Sequence, residues 1–371
     1  MYKRVLFNNI KRKIGKGKAI ILLGPRQVGK TTLMNEILNG KEHLFLNGDD
    51  PTVRTLLDTP NTEQIKNIIG NHTTVYIDEA QRINNIGLTL KIITDQFKHV
   101  QLLVTGSSAF ELSNKMNEPL TGRKWEYHLY PISWKEFESH LSFLKAEQQL
   151  ELRLIYGFYP EVLNHFGEEK EVLKELVSSY LYKDILAYSG IRKPEVLEKL
   201  LQALALQICQ EVSYNELAQL IGVDKKTISQ YIDILEKAYI VRRLGTFSRN
   251  LRNEIKTNKK IYFYDLGIRN ALLGNFDQIQ LRSDKGYLWE NFLVMERLKK
   301  ISYENKFTRS YFWRTKQQQE IDYVEEENGN IYGFEFKWQG KSKYKKLQTF
   351  TEAYQTSIQI IDRSNFRDFV L

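Results

Sequence analysis

Short apolar runs alternate with amphipathic stretches along the first 140 residues of the chain. Residues 19–23 and 75–77 are wholly apolar, and residues 101–105 form another run with an apolar centre. Runs of this kind are typical of strands buried on both faces of a parallel sheet, and the residues between them, such as 32–38, favour helices. The pattern therefore predicts an α/β domain with a mostly parallel sheet.

The middle of the chain shows helical periodicity instead. Apolar residues recur at helical spacing over residues 173–185, which predicts an amphipathic helix packed on a core. A capping box at residues 213–216 opens a short helix, and a second helix is expected over residues 227–238. Strand-like runs follow at residues 240–244 and 261–264. This order predicts a helix-turn-helix with the wing of a winged helix.

Strand-like segments return in the last third of the chain, behind one helix at residues 287–297. They lie at residues 311–314, 320–324 and 331–337. The turn residues Asn328, Gly329 and Asn330 separate the last two segments, so these are expected to form a hairpin.

Length and composition bound the number of domains and the class of protein. The 371 residues exceed one typical core, and three domains are expected, at residues 1–140, 141–275 and 276–371. A single cysteine, no signal-peptide core and no apolar run of membrane-spanning length favour a cytoplasmic protein without a membrane partner. The excess of 54 Lys and Arg over 45 Asp and Glu permits contact with nucleic acid without requiring it.

The strongest chemical signal follows the first apolar run. Residues 24–31 fit the P-loop pattern G-x-x-x-x-G-K-[ST] between a predicted strand and a predicted helix. In that context the loop amides face a phosphate chain, Lys30 reaches the terminal phosphates and the Thr31 hydroxyl can ligate Mg²⁺. The residues predicted to bind ATP are Gly24, Pro25, Arg26, Gln27, Val28, Gly29, Lys30, Thr31 and Thr32.

Two adjacent acids end the apolar strand that contains residues 75–77. Asp78 can join Thr31 in the Mg²⁺ shell, and Glu79 can polarise a water aimed at the γ-phosphate. This is the Walker B arrangement, although a strand end that meets solvent has the same pattern. Ser107, after the next strand, is expected either to contact the water or γ-phosphate or to belong to a helix cap with Ser108. Arg123 is expected to stabilise phosphate charge in cis or across a subunit boundary, or to be a solvated side chain.

The predicted second helix of the helix-turn-helix exposes residues suited to a DNA groove. They are Lys226, Ser229, Gln230 and Asp233. A basic stretch nearby suits phosphates and comprises Arg242, Arg243, Arg249, Arg252, Lys256, Lys259 and Lys260. Asp233 and Glu236 weaken this basic face, and winged helices are often packing modules, so both interpretations stay open. The tail lysines Lys341, Lys343, Lys345 and Lys346 suit a nucleic-acid backbone or a solvated helix face.

The last third presents the side chains of a metal-dependent nuclease. Strand alternation places Glu335 and Lys337 on one face, where Asp322 of the partner strand can join them. Two carboxylates that bind Mg²⁺ and a lysine that orients a water are the minimum for attack on a phosphodiester. With Glu290 on the preceding helix, the set looks like the D…E-x-K core of restriction-endonuclease-like folds. A plain charged strand face is the alternative.

Several segments in register resemble one known family. They are residues 24–31, 76–81, 105–108, 120–123 and 129–137. They are similar to the prokaryotic AAA+-like P-loop ATPases that carry a C-terminal domain of unknown function. The resemblance implies an ATP-binding N-terminal domain with Lys30, Thr31, Asp78 and Glu79 in the roles described above. It also implies a restriction-endonuclease-like fold for the C-terminal domain.

These observations predict a Mg²⁺-dependent ATPase coupled to a nuclease-like module that acts on DNA or RNA. The alternative is a nucleotide-dependent switch whose inactive nuclease-like fold binds a partner protein. A P-loop that binds nucleotide without turnover is a third possibility, but such a protein has no need of Glu79. Homo-oligomer formation is compatible with each of these functions.

Overall fold

The computed structural model describes residues 2–107, 120–178, 185, 193–248, 259–315, 317–339 and 348–371. The chain divides into two compact units. The N-terminal unit comprises Met1–Ile132 with Lys237–Tyr239, and the C-terminal unit comprises Ser133–Glu236 with Ile240–Leu371. No helix within the described ranges has both the length and the apolar character needed to cross a membrane.

The N-terminal unit contains a five-stranded parallel sheet, as predicted. Its strands are β1 Ala19–Leu23, β2 Leu44–Asn47, β3 Thr74–Asp78, β4 Gln101–Gly106 and β5 Lys124–His128. Their order across the sheet is β2-β3-β4-β1-β5, and every neighbouring pair is parallel. The strand before the P-loop therefore adjoins β4, and β4 lies between it and the strand that ends in Asp78.

Two helices of the N-terminal unit begin next to residues that favour a helix start. The helices of this unit are α1 Leu6–Lys11, α2 Lys30–Leu38, α3 Pro51–Asp58, α4 Thr62–Ile69 and α5 Ile86–Gln96, with a short 3₁₀ helix at Ala80–Arg82. The Asp50 side chain accepts a hydrogen bond from Thr52 N–H and caps α3, as the turn before it predicts. Helix α2 begins two residues earlier than expected because Gly29, with φ of +91°, adopts the left-handed conformation just before it.

A seven-stranded sheet forms the frame of the C-terminal unit. Its strands are β6 Glu211–Val212, β7 Val241–Thr246, β8 Lys259–Phe263, β9 Thr308–Arg314, β10 Glu320–Glu327, β11 Asn330–Phe336 and β12 Ile358–Ile361. Their order is β12-β11-β10-β9-β7-β8-β6. The parallel pairing of β7 with β9 joins strands from the predicted middle and last domains. The three-domain division stays a prediction.

Eleven described helices lie in the C-terminal unit, except that Lys237, the last residue of one of them, belongs to the N-terminal unit. They are α6 Trp134–Leu141, α7 Phe143–Tyr156, α8 Pro160–Asn164, α9 Glu169–Glu175, α10 Pro194–Leu206, α11 Tyr214–Ile221, α12 Lys225–Lys237, α13 Leu266–Leu273, α14 Lys285–Tyr303, α15 Gln348–Tyr354 and α16 Phe366–Val370. A further 3₁₀ turn lies at Ile279–Leu281. Helices α11 and α12 match the two short helices predicted from the sequence, with Ser213 capping the first.

Helix α14 is held by an aromatic core. The Trp289 ring lies 5.3 Å from the Phe366 ring, and Trp134 lies 5.9 Å from Phe292 and 5.4 Å from Phe366. Aromatic pairs at such distances add to the apolar area that each ring buries. Because Glu290 adjoins Trp289 on this fixed helix, its side chain is held against the sheet.

The predicted hairpin is confirmed. Strands β10 and β11 are antiparallel, with Glu327 opposite Asn330. The two residues between them, Asn328 and Gly329, have φ of +52° and +82°. Positive φ at both central positions is the requirement of a type I′ turn, which Asn-Gly meets best.

Several predictions lie outside the described residues. These concern the helix cap at Ser108, the segment 180–184, the basic residues Arg249, Arg252 and Lys256, and the tail lysines Lys341, Lys343, Lys345 and Lys346.

Candidate active site

The P-loop connects β1 to α2 and is held closely from one side. A Cβ atom at Gly24 would lie only 2.0 Å from the Leu129 carbonyl oxygen, so the loop passes where only glycine fits. Lys30 extends back into the loop, where its Nζ donates to the Gly24 and Pro25 carbonyl oxygens at 3.0 and 2.7 Å. Burial lowers the pKa of Lys30 to about 8, although the carboxylates of Glu79 and Asp78 act against this shift.

The predicted Mg²⁺ ligands meet at the end of β3. Thr31 Oγ1 donates to Asp78 Oδ2 at 2.8 Å. The other carboxylate oxygen, Oδ1, accepts the Glu79 N–H at 3.0 Å and the hydroxyl of Thr105 on β4. A hydroxyl and a carboxylate in contact provide the hard oxygen atoms that Mg²⁺ prefers. The described residues therefore fit a metal-nucleotide complex, with Thr31 and Asp78 positioned to hold the ion.

Glu79 is connected to Ser107 through Gln81, a residue that the sequence analysis missed. Gln81 Nε2 donates to a carboxylate oxygen of Glu79 and, at 2.8 Å, to Ser107 Oγ. The Ser107 N–H donates in return to Gln81 Oε1 at 3.3 Å. The three side chains form a chain of hydrogen bonds across the ends of β3 and β4, so Ser107 is brought to the site.

The backbone at Glu79 is bent away from the strand. Its φ of +50° is a left-handed conformation that a non-glycine residue adopts only when its surroundings enforce it. Gly48 packs against this bend, where a Cβ atom would lie 2.4 Å from the Glu79 carbonyl oxygen. The bend directs Glu79 off the strand line, next to Asp78 and Gln81.

Arg4 supports the loop from the N-terminal segment and was also missed. Its side chain is buried, and its Nη1 and Nη2 donate to the carbonyl oxygens of Val28 and Tyr130 at 2.7 and 2.6 Å. Bonds from a charged donor to two carbonyls are stronger than neutral ones. Arg4 therefore ties the P-loop to the segment that follows β5, and no local pattern around residue 4 signals this role.

Arg123 does not join this site within the chain, which corrects its predicted role in cis. Its carbonyl oxygen accepts the N–H of Ala19, at the start of β1, whereas the P-loop follows Leu23 at the end of that strand. A five-residue strand separates the two ends by about 13 Å. The guanidinium is instead paired with Asp95, with Nε 2.5 Å from Oδ1. A contribution to a neighbouring copy stays a prediction.

In the C-terminal unit the predicted nuclease residues lie together. Strand pairing sets Tyr323 opposite Phe334, and one step along the same register sets Asp322 opposite Glu335. Asp322 Oδ2 accepts the Phe336 N–H at 2.8 Å, and Lys337 Nζ donates to Glu335 Oε2 at 2.9 Å. Burial, followed by the charge of Asp322, raises the pKa of Glu335 to about 7. Asp322 itself lies at an irregularity in the pairing of β10 with β9, a common position for functional side chains.

Glu290 faces the same region but is occupied by other partners. Its Oε1 accepts hydrogen bonds from Lys260 Nζ at 3.1 Å and from the Tyr262 hydroxyl at 2.7 Å. Burial raises the pKa of Glu290 to about 7, a shift that Lys260 opposes and Asp322 supports. Lys260 also contacts Glu320, with Nζ 2.6 Å from Oε1.

We call Glu290, Glu320, Asp322 and Glu335, with Lys260 and Lys337, the carboxylate cluster. Across the described parts of the chain, no three side chains of His, Cys, Asp or Glu are arranged to hold a metal ion. A buried lysine lies among these carboxylates, because Lys260 Nζ contacts both Glu290 and Glu320. Lys260 is the residue that distinguishes it from the predicted arrangement.

The predicted nucleic-acid face is less basic than the sequence indicates. Arg243 is paired with Asp233 and Glu236, with Nη atoms 2.6 and 2.5 Å from their carboxylate oxygens. The expectation that Asp233 and Glu236 weaken the basic face is therefore confirmed, whereas the assignment of Lys260 to that face is wrong because Lys260 is buried in the carboxylate cluster. Lys226 and Gln230 on α12 are exposed, as expected.

Comparisons with known proteins agree with the N-terminal geometry. A family described as an AAA domain matches residues 16–138, the domain of unknown function DUF8612 matches residues 147–279, and the domain of unknown function DUF4143 matches residues 285–366. The uncharacterized protein Rv2008c of Mycobacterium tuberculosis is 30% identical over 333 residues, covering 88% of this chain and 72% of that protein. MJ1544 of Methanocaldococcus jannaschii is 24% identical, with coverage of 86% and 75%. The Walker-type ATPase PABY2304 of Pyrococcus abyssi aligns with a TM-score of 0.52 at 14% identity, covering 74% of this chain and 96% of that one.

The parallel sheet, the P-loop after β1 and the matching AAA domain define the N-terminal unit as an AAA-type ATPase domain. The chain belongs to the family of Rv2008c, with which it shares most of its length. The resemblance to P-loop ATPases that carry a C-terminal domain of unknown function is confirmed. The winged-helix and restriction-endonuclease-like assignments stay predictions.

Proposed function

We propose that the protein binds ATP with Mg²⁺ and hydrolyses it in the N-terminal unit. The observation that carries the proposal is the contact of Thr31 with Asp78 beside a lysine already inside the P-loop. Lys30 would bind the terminal phosphates, and Glu79, positioned by Gln81 and Ser107, would take a proton from the attacking water. Mg²⁺, when bound, supplies charge neutralisation of the phosphates.

Steady-state hydrolysis tests this proposal directly. We expect release of phosphate from ATP by the purified full chain that requires Mg²⁺ and stops when EDTA removes the metal. ATP binding with no turnover above background, at any Mg²⁺ concentration, would contradict it and indicate a nucleotide-binding protein alone.

The affinity for ATP should fall as the pH rises above about 8. Because burial holds the pKa of Lys30 at about 8, the free protein progressively loses this charge above that pH, whereas bound phosphates favour the ammonium form. Binding must then take up a proton, so the Kd for ATP increases by up to about tenfold per pH unit. Titration calorimetry between about pH 7.5 and 9.5 measures the slope.

The Lys30→Arg protein is the control for this prediction, because a guanidinium does not titrate in that range. Its affinity for ATP should be independent of pH. A wild-type Kd that is equally flat would mean that Lys30 is fully protonated in the free protein.

Replacing Gln81 with Ala should lower kcat about tenfold and leave the KM for ATP within about twofold, because Gln81 positions Glu79 without facing the phosphates itself. Gln81 holds the Glu79 carboxylate and the Ser107 hydroxyl through hydrogen bonds from its side-chain amide. Gln64→Ala, which removes a surface capping bond of α4, is the matched control and should leave kcat unchanged. A Gln81→Ala protein with normal kcat would remove Gln81 from the mechanism.

For the C-terminal unit we propose a winged-helix arrangement joined to a restriction-endonuclease-like fold. The chain order α10, β6, α11, α12, β7, β8, with β8 between β6 and β7 in the sheet, supports the first. The neighbouring positions of Asp322, Glu335 and Lys337 support the second. DNA or RNA contact through exposed residues such as Lys226 and Gln230 is part of this proposal.

We further propose that this unit binds a partner without cleaving nucleic acid, so that the protein acts as an ATP-dependent switch. Lys260 within the carboxylate cluster favours this alternative over an active nuclease. The test is incubation of plasmid and single-stranded DNA with Mg²⁺ or Mn²⁺, with and without ATP. We expect no cleavage by the wild type. Cleavage that is lost in Lys337→Ala would establish the nuclease instead.

A further inference from the structure

The carboxylate cluster surrounds a buried ammonium group. Lys260 lies on β8 and is almost fully buried, and its Nζ is within 3.1 Å of Glu290 and 2.6 Å of Glu320. The same atom lies 5.4 Å from the centre of the Phe312 ring. Burial by itself lowers the pKa of Lys260, but Glu290, Glu320 and Asp322 together raise it above the ordinary value. The ammonium group of Lys260 is therefore the cation that Glu290 and Glu320 share.

Two further cations offset part of the remaining negative charge. Lys337 donates to Glu335 at 2.9 Å, and Arg314 lies 3.4 Å from Glu320. Each carboxylate of the cluster thus has a basic side chain in contact or as an electrostatic neighbour. Buried carboxylates are tolerated only when they are paired in this manner or coordinate a metal.

We propose that Lys260 is the resident cation of the carboxylate cluster and excludes a divalent metal ion from it. A Mg²⁺ or Mn²⁺ ion held by Asp322 and Glu335 would be repelled by the buried ammonium group of Lys260, whose charge already acts on Asp322 and which contacts the neighbouring Glu290 and Glu320. The inference deepens the proposed switch, since it explains why this fold would bind without cleaving.

Lys260 also connects three elements of the C-terminal unit. Its contacts join β8 to α14 through Glu290 and to β10 through Glu320. These elements come from three different parts of the chain, and Tyr262 on β8 adds a hydrogen bond to Glu290. The lysine thus links Glu290 and Glu320, and through them β8, α14 and β10.

Mn²⁺ titration followed by electron paramagnetic resonance tests the inference, with full-length proteins at pH 8 and no nucleotide. The wild type should show no Mn²⁺ site that depends on Asp322. Lys260→Met keeps the length of the side chain but not its charge, and it should gain such a site, with an affinity for Mn²⁺ at least about tenfold higher than any binding at this position in the wild type. Adding Asp322→Asn to Lys260→Met should abolish the gained site. Lys260→Arg, the charge-conserving control, should behave as the wild type. Any Mn²⁺ bound by the N-terminal unit is the same in all four proteins, because none of the substitutions lies in that unit.

The wild-type titration decides the matter even where Lys260→Met does not fold. A Mn²⁺ site in the wild type that is lost in Asp322→Asn would overturn the inference, because the metal would then coexist with Lys260. No gain in a folded Lys260→Met protein would overturn it as well. Failure of this inference can be distinguished from failure of the proposed function. A Mn²⁺ site in the wild type without DNA cleavage would refute the role of Lys260 but leave the proposed ATP-dependent switch intact. ATP hydrolysis is measured in a separate assay.

Discussion

Glu79→Gln should lower the rate of ATP hydrolysis by about 10²- to 10³-fold while ATP still binds. Glutamine keeps the size of the side chain and can still accept the hydrogen bond from Gln81, but it cannot take a proton from water. Neither Lys30 nor Thr31 contacts the Glu79 carboxylate by a hydrogen bond in the described structure, so the binding groups are expected to stay in place.

Single-turnover hydrolysis and equilibrium binding of ATP measure the two effects separately. The matched control is Glu36→Gln, an exposed glutamate on α2 in the same unit, for which both quantities should equal those of the wild type. Hydrolysis by Glu79→Gln within a few-fold of wild type would mean that another group accepts the proton.

Gly24→Ala should destabilise the N-terminal unit by about 3 kcal/mol or more and weaken ATP binding at least about tenfold. The new methyl group would lie 2.0 Å from the Leu129 carbonyl oxygen. Leu129 cannot easily retreat, because its N–H donates to the Leu23 carbonyl oxygen at 2.7 Å. The loop must therefore shift, and the backbone amides that would face the phosphates shift with it.

Thermal unfolding should show the loss as a melting temperature lower by on the order of 10 °C. Gly40→Ala is the control, since Gly40 also has a positive φ, of +73°, but has nothing within 4 Å of the added atom. It should cost only about 1 kcal/mol of backbone strain. Equal effects of the two substitutions would show that the contact with Leu129 is not what selects glycine.

The contiguous features of the chain were predictable from local chemistry. The P-loop, the acids after β3 and the Asn-Gly hairpin each need residues that are neighbours in sequence, and the structure has each of these turns or elements at the predicted position. The α/β class was predictable for the same reason, because the apolar pattern of each buried strand and each amphipathic helix is set by residues close in sequence.

Residues that act across elements were not predictable in this way. Gln81, Thr105 and Arg4 each contact a group on another strand or loop, and their own neighbourhoods are ordinary. The sequence places Lys260 in a basic stretch that suits phosphates, yet strand alternation directs its side chain into the cluster instead. The charge of Arg123 suits a phosphate in cis, a phosphate of a neighbouring subunit or solvent, and the parallel register decides against the first by setting Arg123 at the other end of β1.

The sequence of this protein therefore specifies the phosphate-binding loop, which is built from consecutive residues. Which cation pairs with the carboxylates of the C-terminal cluster depends instead on packing. A phosphate loop is built from consecutive amides, so glycine, lysine and threonine at fixed spacing are sufficient to specify it. A carboxylate can coordinate a metal ion or form an ion pair with a lysine. Which of the two occurs depends on the side chain that the neighbouring strand brings within hydrogen-bonding distance. In this chain β8 brings Lys260 to Glu290 and Glu320, because the order of strands in the folded sheet sets it there.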